Sequence, residues 1–182
     1  MHFSLCDLVA DLTQNSVEAK AQKVIVDFIE SDTELSVTII DNGEGMSRHT
    51  LKKIKDPFYT DGKKHTKRKI GMGIPLLIQT VTQANGNWNI ESKENEGTTI
   101  TMRFDLTNID TPPIGDVPGL FRQLFTLPEA DEMIIYRKKT NNTSYDYTLI
   151  RSQIIDALGG IETASELALL GKFLTSQEQP EN

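Results

Sequence analysis

The stretch Asp41-Asn42-Gly43-Glu44-Gly45-Met46 decides how the chain is interpreted, because it directly follows ELSVTIID, an apolar run that alternates like a strand. Two glycines just past a strand end allow positive φ and a close approach of a ligand to the backbone. Asp41, at the end of the strand, can accept a hydrogen bond from an exocyclic amine. An Asn-Gly hairpin turn is the alternative, but the next segment is polar and helix-compatible and offers no matching strand.

Helices and strands are predicted on both sides of this stretch. Apolar residues at helical spacing, without Pro or Gly, predict a helix over residues 4–21, in which Ser16 is a tolerated interruption. Residues 55–70 are polar and aperiodic and are predicted as a loop, and the Pro and Gly residues of 107–119 are predicted to break regular structure. The other predictions are strands over 23–30, 34–41, 87–92, 98–106, 132–137 and 145–149, and helices over 47–54, 72–84, 151–158 and 161–176.

Within the first helix, Asp11 and Asn15 are four residues apart and therefore share one face. A carboxylate beside a carboxamide can orient a water molecule and bind a hydrated cation. Mg²⁺ takes oxygen ligands and keeps several waters, so one amide oxygen together with phosphates would suffice. A solvated polar face is the alternative interpretation.

A second glycine pair, Gly71 and Gly73, lies at the start of the helix predicted over 72–84. Backbone N–H groups and the positive dipole end at a helix N-terminus bind phosphates, and a plain loop-to-helix junction is the alternative. The segment is not a P-loop, since no Gly-Lys-Ser/Thr follows, and it lacks the third glycine of the dinucleotide fingerprint. Thr98, at the start of a later strand, can join a hydrogen-bond network with Asp41 if the two strands are neighbours.

The order and spacing of these segments resemble the GHKL superfamily, whose ATP-binding fold is shared by gyrase B, heat-shock protein 90, MutL and sensor histidine kinases. Residues 11–19 resemble its N box, 41–46 its G1 box, 56–60 its F box, 70–76 its G2 box and 97–98 its final strand motif. The resemblance covers residues 4–106. It implies an α/β fold of the α+β type: a two-layer Bergerat sandwich whose mixed, mostly antiparallel sheet is covered on one face by helices.

The resemblance also implies a role for each matching residue. Asn15 would ligate the Mg²⁺ that bridges the phosphates of ATP, and Asp41 would bind the adenine amino group with help from Thr98 and a water molecule. Residues 47–70 would form a lid over the nucleotide. The other residues that the resemblance places at the nucleotide are Gly43, Gly45, Met46, Phe58, Gly71 and Gly73.

Two positions depart from the family pattern. The ATPases of the superfamily carry a Glu four residues before the Asn, as general base for the attacking water, and here that position is Asp11. Its side chain is shorter by one methylene, and a misplacement of about 1 Å can cost about a hundredfold in rate, so slow hydrolysis is expected. Three residues after the Asn, histidine kinases usually carry a basic residue, whereas Glu18 resembles the acid of the gyrase, MutL and heat-shock-protein branch.

Charge and composition narrow the class of protein. The 182 residues include 19 Lys and Arg against 26 Asp and Glu, and the net charge of −7 argues against a nucleic-acid partner. Between Arg48 and Lys69, nine basic and two acidic residues give +7 and leave −14 for the rest, which places a basic segment over the expected triphosphate; a solvated basic loop is the alternative. A single cysteine, no signal peptide and no long apolar run predict a cytoplasmic protein without a membrane partner.

These observations predict an ATP-binding domain over residues 1–106, a linker over 107–118 and a small α/β or helical extension over 119–182. A histidine kinase that acts on its own chain carries its phosphoacceptor hairpin before the N box. We expect no room for such a hairpin here, which disfavours this kind of kinase. The predicted function is a stand-alone regulatory Mg-ATPase with a protein partner. Two other functions stay open: a trans-acting serine or histidine kinase resembling anti-sigma factor kinases, and a non-catalytic ATP sensor. The oligomeric state also stays open, with a homodimer as one possibility.

Overall fold

The structure is a computed structural model that describes residues 4–55, 73–141 and 144–179. Within these ranges the helices are α1 (Leu5–Glu18), α2 (Arg48–Ile54), α3 (Gly73–Gln83), α4 (Val117–Phe125), α5 (Arg151–Leu158) and α6 (Ala164–Gln177). The strands are β1 (Lys23–Ser31), β2 (Glu34–Asp41), β3 (Asn87–Lys93), β4 (Gly97–Asp105), β5 (Glu132–Thr140) and β6 (Tyr145–Ile150).

The strands form one sheet in the order β3-β4-β2-β1-β5-β6. β1 runs parallel to β5, and the other neighbouring pairs in this order are antiparallel. In the β2–β4 pair, Asp41 lies opposite Thr98, so the two strands are neighbours as the hydrogen-bond prediction required. The predicted mixed, mostly antiparallel sheet is confirmed.

Helices cover one face of the sheet. Along β1, Val24, Val26 and Phe28 are fully buried, whereas the alternate residue Ile29 is 43% exposed. Successive strand residues point to opposite faces, so the buried half of each strand meets the apolar side of α1 and the helices beside it. The predicted two-layer sandwich is confirmed. No helix in the described part of the chain is long and apolar enough to span a membrane.

The prediction that Pro118 and Gly119 break regular structure is wrong, because both lie in the first turn of α4. N–H groups in that turn have no partner within the helix, so the missing N–H of proline costs little there. The Asp116 side chain accepts a hydrogen bond from the N–H of Gly119 at 3.0 Å and caps the helix. A local cap therefore outweighs two residues that usually interrupt helices.

Residues 107–118, predicted as a linker, lie against the start of α1. The carbonyl groups of Pro113 and Ile114 accept hydrogen bonds from the N–H groups of Leu5 and Cys6 at 2.9 and 2.8 Å. First-turn N–H groups lack partners in their own helix, so this segment satisfies and fixes the beginning of α1. Beyond it, β5 joins the same sheet beside β1, while the boundaries of the predicted domains stay a prediction.

Candidate functional site

The carboxylate of Asp41, at the end of β2, is held by three hydrogen bonds. Oδ1 accepts the N–H of Gly43 at 2.9 Å and the N–H of Thr98 at 3.2 Å, and Oδ2 accepts the hydroxyl of Ser16 at 2.7 Å. Asp41 is only 7% exposed, and a polar group at such a place needs partners. A carboxylate oxygen can accept more than one bond, so Oδ2 remains able to accept from a bound amine.

Ser16, on α1, is a site residue that sequence reasoning missed. It is buried, and its bond to Asp41 joins two positions 25 residues apart. In the sequence it is only a polar interruption of an apolar helix face. The usable signal was that a hydroxyl on a buried face needs a hydrogen-bond partner, although the pattern does not say which partner.

The glycines after Asp41 allow three chain segments to meet. Gly45 has a φ of +58°, which disfavours any side chain, and a Cβ at this position would lie 2.0 Å from the carbonyl oxygen of Lys93. A Cβ at Gly43 would lie 2.7 Å from the carbonyl oxygen of Ala19, at the end of α1. Glycine is therefore required at position 45 by the positive φ of the backbone, and at position 43 by the close approach of the chain to the end of α1.

Met46 and Thr98 are joined through Ser92 of β3, a second residue that sequence reasoning missed. The Ser92 hydroxyl oxygen accepts the N–H of Met46 at 2.8 Å and lies 2.9 Å from the Thr98 hydroxyl oxygen. Thr98 thus reaches Asp41 through its backbone N–H and Ser92 through its side chain. No motif marks Ser92, because its position depends on the pairing of β3 with β4.

The other end of the site lies where α1 meets the start of α3. A Cβ at Gly73 would lie 2.7 Å from Asn15 Nδ2 and 3.5 Å from Leu12 Cδ2, so a side chain at this position would require the Asn15 amide to move. Asp11 is exposed and lies one turn before Asn15 on the same face of α1. The positive dipole end of α3 attracts anions, and the structure places Asn15 beside it.

Some predicted residues cannot be placed. Phe58 and Gly71 lie outside the described residues, as does the predicted lid beyond Lys55. Within the described ranges, no group of three or more His, Cys, Asp or Glu side chains is arranged to hold a metal ion. Mg²⁺ bound by one protein oxygen and by phosphates needs no such group. The Asn15 side chain carries one amide oxygen of the kind that Mg²⁺ binds, while the atom nearest to the start of α3 is its amide nitrogen Nδ2.

Helix α1 therefore contributes to both ends of the site. Its Ser16 orients Asp41, and its Asn15 lies beside Gly73 at the start of α3. A buried carboxylate thus lies at one end of the site and the N-terminus of α3 at the other, in a sandwich of helices on one sheet. The chain belongs to the family of histidine kinase-, DNA gyrase B- and HSP90-like ATPases, whose family model matches residues 3–108. The matched residues form an ATP-binding domain, and the resemblance inferred from the motifs is confirmed.

Similar proteins are found among bacterial kinases and sensor proteins. Sporulation kinase C of Bacillus subtilis (strain 168) is 28% identical over 98 residues, which are 53% of this chain and 22% of that protein. Sensor protein CiaH of Streptococcus pneumoniae (serotype 4) is 31% identical over 104 residues, which are 55% of this chain and 23% of that protein. The chain thus spans less than a quarter of the length of either relative.

Two solved structures are also similar. The N-terminal domain of a DNA repair protein is 16% identical with a TM-score of 0.48, and the match covers 91% of this chain and 59% of that one. The Aquifex aeolicus MutL ATPase domain complexed with ADP is 14% identical with a TM-score of 0.42, and the match covers 95% of this chain and 70% of that one.

Proposed function

We propose that the chain is a regulatory ATPase that binds Mg-ATP, hydrolyses it slowly and acts on a protein partner. The observation that supports this most is the adjacency of Asn15 and Ser16 on α1, because it links the oriented acceptor Asp41 to the start of α3. ATP carries an exocyclic amine at one end and phosphates at the other. Its two ends therefore match the two ends of the site.

In this proposal each end of the site binds one part of ATP. Asp41 Oδ2 accepts a hydrogen bond from the adenine amino group, and Gly45 and Met46 shape the pocket around the ring. Asn15 supplies an amide oxygen to Mg²⁺, and the N–H groups at the start of α3 donate to the phosphates. When bound, Mg²⁺ offsets phosphate charge and fixes the phosphate geometry.

Asp11 is the proposed general base. It takes a proton from the water that attacks the γ-phosphorus, while the bond from that phosphorus to the bridging oxygen breaks and the electron pair leaves with ADP. Support for this role is that Asp11 shares a face of α1 with Asn15, the proposed Mg²⁺ ligand, one helical turn away. Because Asp11 is one methylene shorter than Glu, turnover is expected to be slow.

A second candidate function is phosphoryl transfer to a separate protein, which the match to a sporulation kinase and a sensor protein favours. The same carboxylate would then take the proton of an acceptor hydroxyl instead of water. In this case the isolated chain binds ATP but releases phosphate only as a slow side reaction. Addition of the acceptor protein would increase ADP production.

A nucleotide titration with turnover measured on the same sample tests both candidates. The regulatory ATPase predicts Mg-dependent ATP binding and phosphate release below about one per second, which is slow for an enzyme. Binding without phosphate release or transfer would leave a non-catalytic sensor. If millimolar ATP with Mg²⁺ does not bind, the proposal is wrong.

Replacing Gly73 by Ala is expected to weaken Mg-ATP binding about tenfold while folding stability changes little. Gly73 is the first residue of α3, so it does not gain the helix propensity that alanine has in a helix interior, and the atom that the new methyl group would contact is Asn15 Nδ2, the movable end of a side chain. The amide would therefore turn away from the phosphate end. Titration and thermal unfolding measure the two effects.

Gly171→Ala is the matched control for this substitution. Gly171 lies inside α6, and the nearest atom to a Cβ there is Arg122 Nη1 at an ordinary 3.7 Å. Because Gly171 lies in a helix interior, the control should be stabilised by up to about 1 kcal/mol, and it should bind Mg-ATP like the original chain. Equal affinities for both variants would show that Asn15 does not need its present position.

A further inference from the structure

A buried arginine lies near the end of β1 that is farther from the candidate site. Arg137 on β5 lies opposite Phe28 of β1. Phe28 is four residues further along β1 than Val24, which lies opposite Asp41. The Arg137 side chain is 1% exposed. Nη2 donates to Glu30 Oε2 at 2.5 Å and Nη1 donates to the carbonyl oxygen of Lys138 at 3.1 Å, while the guanidinium carbon lies 5.2 Å from the centre of the Phe28 ring. These groups orient the guanidinium before any further ligand is considered.

The carboxylate of Glu178 receives four hydrogen bonds at this arginine. Arg137 Nε donates to Oε1 and Nη2 to Oε2, both at 2.9 Å, which is the bidentate geometry that guanidinium and carboxylate prefer. The Tyr145 hydroxyl donates to Oε2 at 2.6 Å, and the Tyr147 hydroxyl donates to Oε1. The two tyrosine rings stack with centres 5.9 Å apart, so the strand β6 presents both hydroxyls to the same carboxylate.

Groups on the strands hold Glu178, whereas its own helix disfavours its charge. Glu178 is the C-cap of α6, where the negative end of the helix dipole repels a carboxylate. Burial raises the pKa of Glu178, but the hydrogen bonds from Arg137, Tyr145 and Tyr147 outweigh it and leave the pKa below its usual value. The helix end thus lies here because the strands supply donors that more than compensate for the dipole.

The groups around Glu178 carry charges of both signs. Besides Arg137, Lys139 lies here and its Nζ is 2.8 Å from Glu30 Oε1. The three groups that contact one another, Arg137, Lys139 and Glu30, carry one net positive charge before Glu178 is counted. A cavity of about 260 Å³ adjoins them and is lined by Glu30, Arg137, Lys139, Glu178 and residues 114–118, which include the exposed carboxylate of Asp116.

We propose that Arg137, Tyr145 and Tyr147 form a carboxylate-binding site that the chain's own Glu178 fills, and that an acidic peptide segment of a protein partner can take the place of Glu178. The buried residues of α6 are Leu170 and Leu174, and the helix packs against α4 and α5. Beyond Leu174, Glu178 joins the end of the helix to the strands. Displacement of Glu178 frees the last turn and leaves the rest of α6 docked.

Glu178→Ala with acetate as the probe tests the site. The variant should lose about 5 to 10 °C in melting temperature, because one partner of a buried ion pair is missing. Acetate should restore at least half of this loss along a saturating curve, compared with chloride at the same ionic strength. The original chain and the exposed-residue control Glu129→Ala should melt equally in acetate and chloride. A Glu178→Ala variant that also melts equally in the two salts overturns the proposal.

Amide hydrogen exchange separates the site from its effect on α6. In Glu178→Ala the amides of residues 175–179 should exchange at least tenfold faster, and acetate should leave them fast even though it restores the melting temperature. Acetate fills the site but is not tied to the helix. Unchanged exchange in the variant would show that Glu178 does not anchor the last turn.

A blocked peptide with the chain's own sequence FLTSQEQ, residues 173–179, tests displacement. At millimolar concentration it should speed exchange at residues 175–179 of the original chain and raise the melting temperature of Glu178→Ala. The same peptide with Gln in place of its Glu should do neither, and equal effects of the two peptides contradict the proposal. The double variant Y147F/E178A removes one donor without removing the buried charge of Arg137, and it should need several-fold more acetate for the same rescue.

Discussion

Replacing Asp41 by Asn is expected to lower ATP affinity by about a hundredfold or more. Asp41 Oδ1 accepts two backbone N–H groups, so an amide oxygen would occupy that side and the NH₂ group would occupy the position of Oδ2. The Ser16 hydroxyl can turn and accept from this NH₂. The adenine amino group then meets a donor instead of an acceptor, and a buried unmatched donor costs several times the worth of the lost bond.

A direct titration of ATP against the variant measures this effect, with thermal unfolding as the check that the fold is retained. Asp27→Asn is the matched control, because Asp27 lies on β1 with its side chain on the face of the sheet opposite Val26 and Phe28. The control should bind ATP like the original chain. Retained affinity in Asp41→Asn would refute the assignment of Asp41 to the adenine.

Replacing Asp11 by Asn is expected to reduce turnover by about 10² to 10⁴, the range that general bases contribute. An amide nitrogen cannot take the proton of the attacking water at neutral pH. ATP affinity should change little, because the proposed contacts with ATP belong to Asp41, Asn15 and the start of α3. Single-turnover phosphate release and a binding titration on the same preparation separate the two quantities.

Glu18→Gln is the informative companion to this variant. Glu18 is exposed on α1 and lies on the same side of the helix as Asp11 and Asn15. It is therefore a second carboxylate on that side. If Asp11 is the base, Glu18→Gln should keep its turnover within about twofold. A fast Asp11→Asn variant together with a slow Glu18→Gln variant would move the role of base to Glu18.

Most of the fold could be predicted because its signals are local. β2 is predicted and found at Glu34–Asp41, and α5 is predicted and found at Arg151–Leu158, since alternation and helical spacing are both properties of short windows. Helix α6 begins at Ala164, three residues later than predicted, because Thr163 and Glu166 form a capping box. Helix α4 was not predicted, since its cap at Asp116 had to be weighed against Pro118 and Gly119.

The residues of the site also differ in whether a short stretch of sequence reveals them. Asp41, Gly45 and Asn15 could be found from spacing within single segments, and their proposed roles stay predictions until they are tested. The partners of Ser16 and Ser92 could not be found, because their hydrogen bonds span 25 and 46 positions and depend on how α1 lies on the sheet and how β3 pairs with β4. Such contacts are properties of the assembled fold, and no short window of sequence carries them.

The consecutive positions of Asn15 and Ser16 limit how the length of this chain can vary. Side chains of neighbouring helical residues leave the axis about 100° apart, so α1 sets the angle between the adenine end and the phosphate end of the site. One residue inserted among positions 12–14 would keep that angle but rotate Asp11 away by the same 100°. The same insertion would rotate the buried Leu5, Leu8 and Val9 away from the core, so in natural variants we expect substitutions in this part of α1 and no insertions or deletions.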